Sequence, residues 1–199
     1  MRWMKNRAHE SAEAIRLARR AVELGSTDAV ALCTAGFALM DFANDPVGAD
    51  GLITRALALN PNLALAWLFS GWVKVALGEP DAAIERVAHA MRLSPQDSQM
   101  FSMQSAIACA HFGAGRYVEA LSWAQSTLSE RPDFVMQNCV AAASTALQGR
   151  MDEAHGFIVR LREIAPDLSI ANLKELTNFL QTEDYKKWED ALGKAGLPE

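Results

Sequence analysis

Apolar residues recur along this chain with helical period, in short blocks that themselves recur. The stretch Ala14-Ile15-Arg16-Leu17-Ala18-Arg19-Arg20-Ala21-Val22-Glu23-Leu24 carries an apolar stripe at helical spacing with polar residues between. No segment alternates convincingly with period two, so no sheet is expected. Turn residues separate the blocks: Asn44-Asp45-Pro46, Gly78-Glu79-Pro80, Gly115-Arg116 and Gly149-Arg150. Gly or Asn suits the left-handed residue that closes a helix, and Pro can open the next one at its first turn. The pattern predicts helices near 10–24, 29–42, 47–59, 63–77, 80–93, 99–113, 116–130, 134–147 and 151–164.

The blocks obey a longer period. Pro61, Pro95, Pro132 and Pro166 are 34, 37 and 34 residues apart. Ala14, Ala49, Ala83, Ala120 and Ala154 are 35, 34, 37 and 34 apart. The series Ala21, Ala56, Ala90, Thr127 and Leu161 has the same four gaps. Two independent series sharing one irregular spacing are hard to obtain by chance, and a fixed period of this length signals a repeat array. One extra residue lies near Asn44-Asp45-Pro46, and three lie between Pro95 and Phe101. Each period holds two helices, and the later proline ends the second, because Pro lacks an N–H and clashes with the preceding turn.

These residues resemble the tetratricopeptide family. The closest block is Ala66-Trp67-Leu68-Phe69-Ser70-Gly71, then Gly78, Ala83-Ile84, Ala90 and Leu93-Ser94-Pro95. Trp67, Gly71, Ala83, Ala90 and Pro95 match the family's signature positions. Gly36, Ala108 and Ala142 fill the small position elsewhere. The position where the family usually carries Tyr holds Leu39, Lys74, His111 and Thr145, which leaves the inner packing open. The resemblance covers roughly residues 10–167 and implies an all-α fold, an α-α superhelix of antiparallel helix pairs. The expected organisation is a partial repeat over 1–28, four repeats over 29–167, and capping helices with a tail over 168–199. A lone pair of short helices cannot bury its apolar stripe, and stacking makes a continuous core with a concave side.

The two ends carry their own expectations. About nine residues precede the first predicted helix, which is of the second-helix type, so the chain reads as a piece of a longer protein. A short capping turn over 2–9 is the alternative. Beyond Pro166, Leu168 to Leu176 and Thr182 to Leu192 read as terminal helices, with Tyr185, Trp188 and Leu192 on one face. Thr182 is the expected N-cap and Gly193 and Gly196 the expected stops. The segments Arg92 to Asp97, Ala110 to Tyr117 and Gly193 to Glu199 are similar to the tetratricopeptide tails of some bacterial class III adenylate/guanylate cyclases and related regulators. That similarity implies a C-terminal regulatory part of a multidomain signalling protein. Nothing matches a cyclase active site, so no catalytic residue is carried over.

Family groove positions fall on Val30, Cys33, Phe37 and Met40; Leu65, Leu68, Trp72 and Val75; Ser102, Ser105, Cys109 and Phe112; and Met136, Cys139, Ala143 and Ala146. Of these, Val30, Cys33, Phe37, Met40, Leu65, Leu68, Trp72, Val75, Cys109, Phe112, Met136 and Cys139 are the candidate binding residues, with Trp72, Phe37 and Phe112 as anchors. The set has no Lys or Arg, so the clamp that some family members use for a peptide's terminal carboxylate is missing. The implied partner is a protein or peptide with an apolar segment, or a second copy. Neighbouring repeats or the C-terminal tail are the competing occupants of the same surface. Trp67 is expected in the core and Trp123 half-exposed at a repeat junction.

Composition narrows the remaining classes. Half the residues are apolar and 22% charged, which is a globular balance. A net charge of −5 with no clustered basic face argues against nucleic acid. The start, Met1 to Arg7, is basic but no apolar run follows, so an ordinary secretory signal is not expected. The apolar run Leu63 to Leu77 is too short to span a bilayer. Cys33, Cys109 and Cys139 are odd in number and widely spaced, which suits a reducing compartment, and the cytoplasm is expected. His9, His89, His111 and His155 have no partner at ligand spacing, so no metal and no cofactor is expected. No phosphate loop, nucleophile elbow or paired-carboxylate arrangement is present, and the fragment is not expected to be an enzyme. An interaction module leads, a homodimerisation module of a transcription regulator is the alternative, and a small-ligand or enzymatic groove ranks last.

Overall fold

The structure, a computed structural model, describes residues 7–176 and 182–199. Ten α-helices follow one another among the described residues: α1 (Arg7–Leu24), α2 (Ala29–Ala43), α3 (Pro46–Leu59), α4 (Ala64–Ala76), α5 (Pro80–Leu93), α6 (Met100–Gly113), α7 (Tyr117–Glu130), α8 (Val135–Leu147), α9 (Met151–Ile164) and α10 (Thr182–Ala195). A short 3-10 helix spans Ile170–Glu175. The architecture is all-α, a solenoid of antiparallel helix pairs closed by a C-terminal helix.

Each helix pair turns on a left-handed residue. Asn44 has φ 51, and Gly78, Gly115 and Gly149 have φ 73, 74 and 76. These four stand at corresponding points of α2–α3, α4–α5, α6–α7 and α8–α9. Asn and Gly tolerate that backbone region best. Pro46 and Pro80 open α3 and α5, where a missing N–H costs nothing, and the Asp45 side chain accepts from the Gly48 N–H.

The second helices α3, α5, α7 and α9 each stop at a residue that precedes proline: Asn60, Ser94, Arg131 and Ala165. Their φ values of −142, −140, −133 and −143 lie outside the helical range. The proline ring forbids the helical conformation to the residue before it. Each then closes a matching turn, with Leu63, Asp97, Phe134 and Leu168 donating to the carbonyls of Asn60, Ser94, Arg131 and Ala165. Pro61, Pro95, Pro132 and Pro166 therefore sit at equivalent corners. The longer spacing after Pro95 is taken up by a loop in which the Asp97 side chain accepts from the Gln99 N–H at 2.8 Å.

Small residues bring the paired helices together. A Cβ on Gly36 would meet Ile53 and the Ala49 carbonyl at 3.0 and 3.1 Å, and one on Gly71 would collide with Val87 Cγ2. The facing alanines Ala49, Ala83, Ala120 and Ala154 are all fully buried. Between pairs, each second helix packs on the next first helix, and the first helices α2, α4, α6 and α8 also touch in sequence.

The C-terminal end departs from the repeat. α10 packs chiefly on α8, with lesser contact to α9 and the 3-10 helix. Trp188, Ala191, Leu192 and Ala195 are buried there, Tyr185 is half-buried, and Trp188 meets the Phe112 ring edge-on at 5.5 Å. Covered on every side, α8 buries each residue from Met136 to Thr145. Thr182, the expected N-cap, is the first described residue of α10, and the positions before it, 177–181, lie outside the described residues. Gly193 lies within the helix, and Gly196, at φ 99, ends it. The Pro198 carbonyl then accepts from the Ile170 N–H at 2.7 Å, which ties the tail down.

Candidate interaction surface

The first helices carry the expected groove positions, but direct packing between them has buried most of that surface. Of the candidate residues, Cys33, Met40, Leu68, Trp72, Val75, Cys109, Phe112, Met136 and Cys139 are all buried. Two physical reasons account for this. The first helices of neighbouring pairs pack flank to flank, and α10 lies over α8 and reaches Phe112. The expected anchors Trp72 and Phe112 both lie in the core, where Trp72 donates its indole N–H to Ser102 Oγ at 3.1 Å.

What stays open lies at the α2–α4 end. Val30 is 50% exposed, and Phe37 and Leu65 are half-buried. Phe69, which the family pattern did not single out, joins them: its ring stacks on Phe37 with centroids 4.3 Å apart and planes 14° apart. Thr34 is exposed beside them. The open surface is thus smaller than the expected groove, and apolar and aromatic in character.

Polar ties stitch the first helices. Gln137, fully buried on α8, donates to Ser105 Oγ on α6. No sequence signal marked Gln137, because a glutamine between Met136 and Asn138 reads equally well as solvated. Burial pushes the Cys109 thiol up to about 12, with Gln137 opposing the shift. Burial also raises Cys139 and Cys33. All three thiols are therefore poor nucleophiles, since the thiolate is the reactive form. Among the described residues no group of three or more His, Cys, Asp or Glu is placed to hold a metal ion, and no helix is long and apolar enough to cross a membrane.

The position that the family usually gives to Tyr is resolved into local contacts. Lys74 reaches Asp50 at 3.2 Å and Glu79 at 3.1 Å. His111 Nδ1 accepts from Arg116 Nε at 2.9 Å, and Arg116 pairs with Asp81 at 2.8 Å. The Thr145 hydroxyl donates back to the Ala141 carbonyl in its own helix. Trp67, expected in the core, is half-buried and donates to the Pro61 carbonyl at 2.7 Å. Trp123 is half-buried, as expected.

Solved structures share this architecture. The chain is similar to PilW, described as a widely conserved type IV pilus biogenesis factor, with a TM-score of 0.72 and 16% identity over 94% of this chain and 86% of that one. It is similar to MamA from Desulfovibrio magneticus RS-1, with a TM-score of 0.63 and 17% identity over 78% and 86%. It is also similar to YrrB, described as a TPR protein with an unusual peptide-binding site, with a TM-score of 0.57 and 19% identity over 89% and 90%. No family model matches the sequence. No curated protein matches it either. At these identities the likeness concerns the fold, which is the tetratricopeptide-type helical solenoid.

Proposed function

We propose that this chain is a protein-interaction scaffold whose docking surface is the aromatic patch at the α2–α4 end, and that it is not an enzyme. One observation carries the reading: the stacked, half-buried Phe37 and Phe69, flanked by exposed Val30 and half-buried Leu65. Aromatic residues commonly supply the central energy of an interface. The other end of the concave side is already taken by α10. A peptide-binding site in YrrB, a protein of the same fold, supports a peptide or protein as the ligand class. The apolar patch favours a segment with apolar side chains over a terminal carboxylate.

The test is selection from a displayed random-peptide library on the whole chain. Apolar, aromatic-containing sequences are expected, with binding abolished by Phe37→Glu and retained by Val159→Glu on the exposed face of α9. A selection that yields no peptide weakened by Phe37→Glu would refute the assignment.

A specific observation supports self-association as a second reading. The row Ala49, Ile53, Ala56 on α3, and its counterparts on α5, α7 and α9, are all buried against a paired first helix. The corresponding row on α1 buries Ala18 but leaves Ala14 and Ala21 only half-buried, with Leu17 52% and Leu24 73% exposed alongside. Light scattering of Leu24→Glu against the parent separates the readings, since only a dimer through α1 loses mass. The finer assignment, to the regulatory end of a bacterial cyclase-type signalling protein, rests on the three short motifs alone. An upstream reading frame that encodes no such domain would remove it.

A further inference from the structure

The repeat offers an internal comparison that points to a second binding site. Between the second and fourth helix pairs the register is constant at 71 residues: Pro61 and Pro132, Trp67 and Asn138, Ala83 and Ala154, Ala90 and Leu161 all correspond. In the second pair the Trp67 indole donates to the Pro61 carbonyl at 2.7 Å. Its ring lies 5.0 Å from the Arg86 guanidinium and 4.3 Å from the His89 ring. In the fourth pair Asn138 reproduces the hydrogen bond, donating to the Pro132 carbonyl at 3.1 Å. Asparagine does not reproduce the ring.

A cavity of about 450 Å³ lies where the ring would be, lined by Leu128, Pro132, Asn138, Glu153, Gly156, Phe157 and Arg160. Stepped back by 71 residues, these are Leu57, Pro61, Trp67, Ala82, Glu85, Arg86 and His89. The cavity is therefore the same socket that holds an indole in the second pair. Its walls keep the chemistry with the roles exchanged: a ring, Phe157, stands for the cation Arg86, and a cation, Arg160, stands for the ring of His89. Gly156 widens the mouth, since a Cβ there would meet nothing within 4 Å. Leu32, at the corresponding point of the first pair, is fully buried.

We propose that this socket between α7, α8 and α9 receives a tryptophan side chain from a partner peptide. Offset stacking on Phe157 and a cation–π contact with Arg160 would replace what Arg86 and His89 give Trp67. The occupant is a peptide-borne indole because that is what the chain itself places in the matching socket, carried on a neighbouring backbone. The depression is open to solvent on one side, so a side chain carried on another backbone can enter it. The site is separate from the α2–α4 patch, so Phe37→Glu leaves it intact and the two assignments fail independently.

The experiment is a nitrogen-15 correlation titration of the whole chain with the blocked tripeptide Gly-Trp-Gly. Controls are blocked Gly-Leu-Gly, free indole, and the variants Gly156→Leu and Asn138→Trp. Saturable shifts are expected at Leu128, Gly156, Phe157 and Arg160. The leucine peptide should bind at least about fivefold more weakly, and both variants at least about tenfold more weakly, as expected when an aromatic contact is lost or its space is filled. Gly156→Leu keeps the test valid if Asn138→Trp does not fold, because it replaces a helical glycine that faces open space. Shifts that do not saturate, equal binding of the leucine peptide, undiminished binding to Gly156→Leu, or tighter binding of free indole than of the tripeptide would each overturn the proposal.

Discussion

His111 shows how one side chain at a helix junction couples stability to pH. Burial lowers its pKa from the ordinary value of 6.5, and the adjacent Arg116 guanidinium lowers it further, while Glu119 and Asp81 act weakly the other way. The folded chain thus binds this proton less readily than the unfolded chain. The contribution to stability is complete above about pH 6.5 and is lost as pH falls below that value towards the folded pKa. Urea midpoints between pH 7.5 and 5.5 should therefore fall less steeply for His111→Leu than for the parent, leucine being the residue that Leu39 already supplies at the equivalent place. Parallel pH profiles for the two proteins would show that His111 titrates alike in both states. Lys74, at the same register, answers the same problem differently, with its side chain 14% exposed and held between Asp50 and Glu79. Neither arrangement was legible from sequence, because the partners come from the preceding second helix and the adjoining turn.

At the scale of the element, two glycines on helices behave in opposite ways. Gly71 lies in the α4–α5 contact, where a methyl group would run into Val87. Gly156 lies on α9 with open space above it. Alanine favours the helix over glycine by about 1 kcal/mol in either place. Overpacking at Gly71 costs about 1–3 kcal/mol, so Gly71→Ala should destabilise on balance. Gly156→Ala should stabilise by up to about 1 kcal/mol. Chemical denaturation of the pair checks this, and adding Val87→Ala should recover part of the loss in Gly71→Ala. The helix bounds themselves were readable because glycine, asparagine and proline act within a residue or two of where they stand. Asn44, Gly78, Gly115 and Gly149 all adopt the left-handed backbone that their identities suggest. α10 runs through the stop expected at Gly193 for a related reason: a glycine inside a helix weakens it without breaking it, and of the two glycines only Gly196 has a positive φ.

For the whole molecule, the decisive feature is the lid that α10 places on α8. An array of this kind holds together through nearest-neighbour interfaces, so its ends loosen first unless something covers them. Trp188, 1% exposed, supplies that cover against Phe112. Trp188→Ala should cost about 3–5 kcal/mol, as for other buried large-to-small changes. Hydrogen exchange should then rise along α8 before it rises along α2 and α4. Unchanged protection of α8 would mean that α10 contributes nothing to its burial.

The sequence by itself determined the helices, their pairing and the corners. Those depend on interactions within a few residues, on backbone restrictions at Pro, Gly and Asn, and on a period that repeats the same local instruction. Tertiary structure alone decided which apolar side chains of the first helices remain at the surface. Cys33, Leu68, Trp72 and Phe112 carry the same apolar signal as Val30, Phe37 and Leu65. Whether such a residue is core or docking surface depends on how closely the neighbouring helix approaches and on where α10 comes to rest, and both are set by contacts between residues distant in the chain.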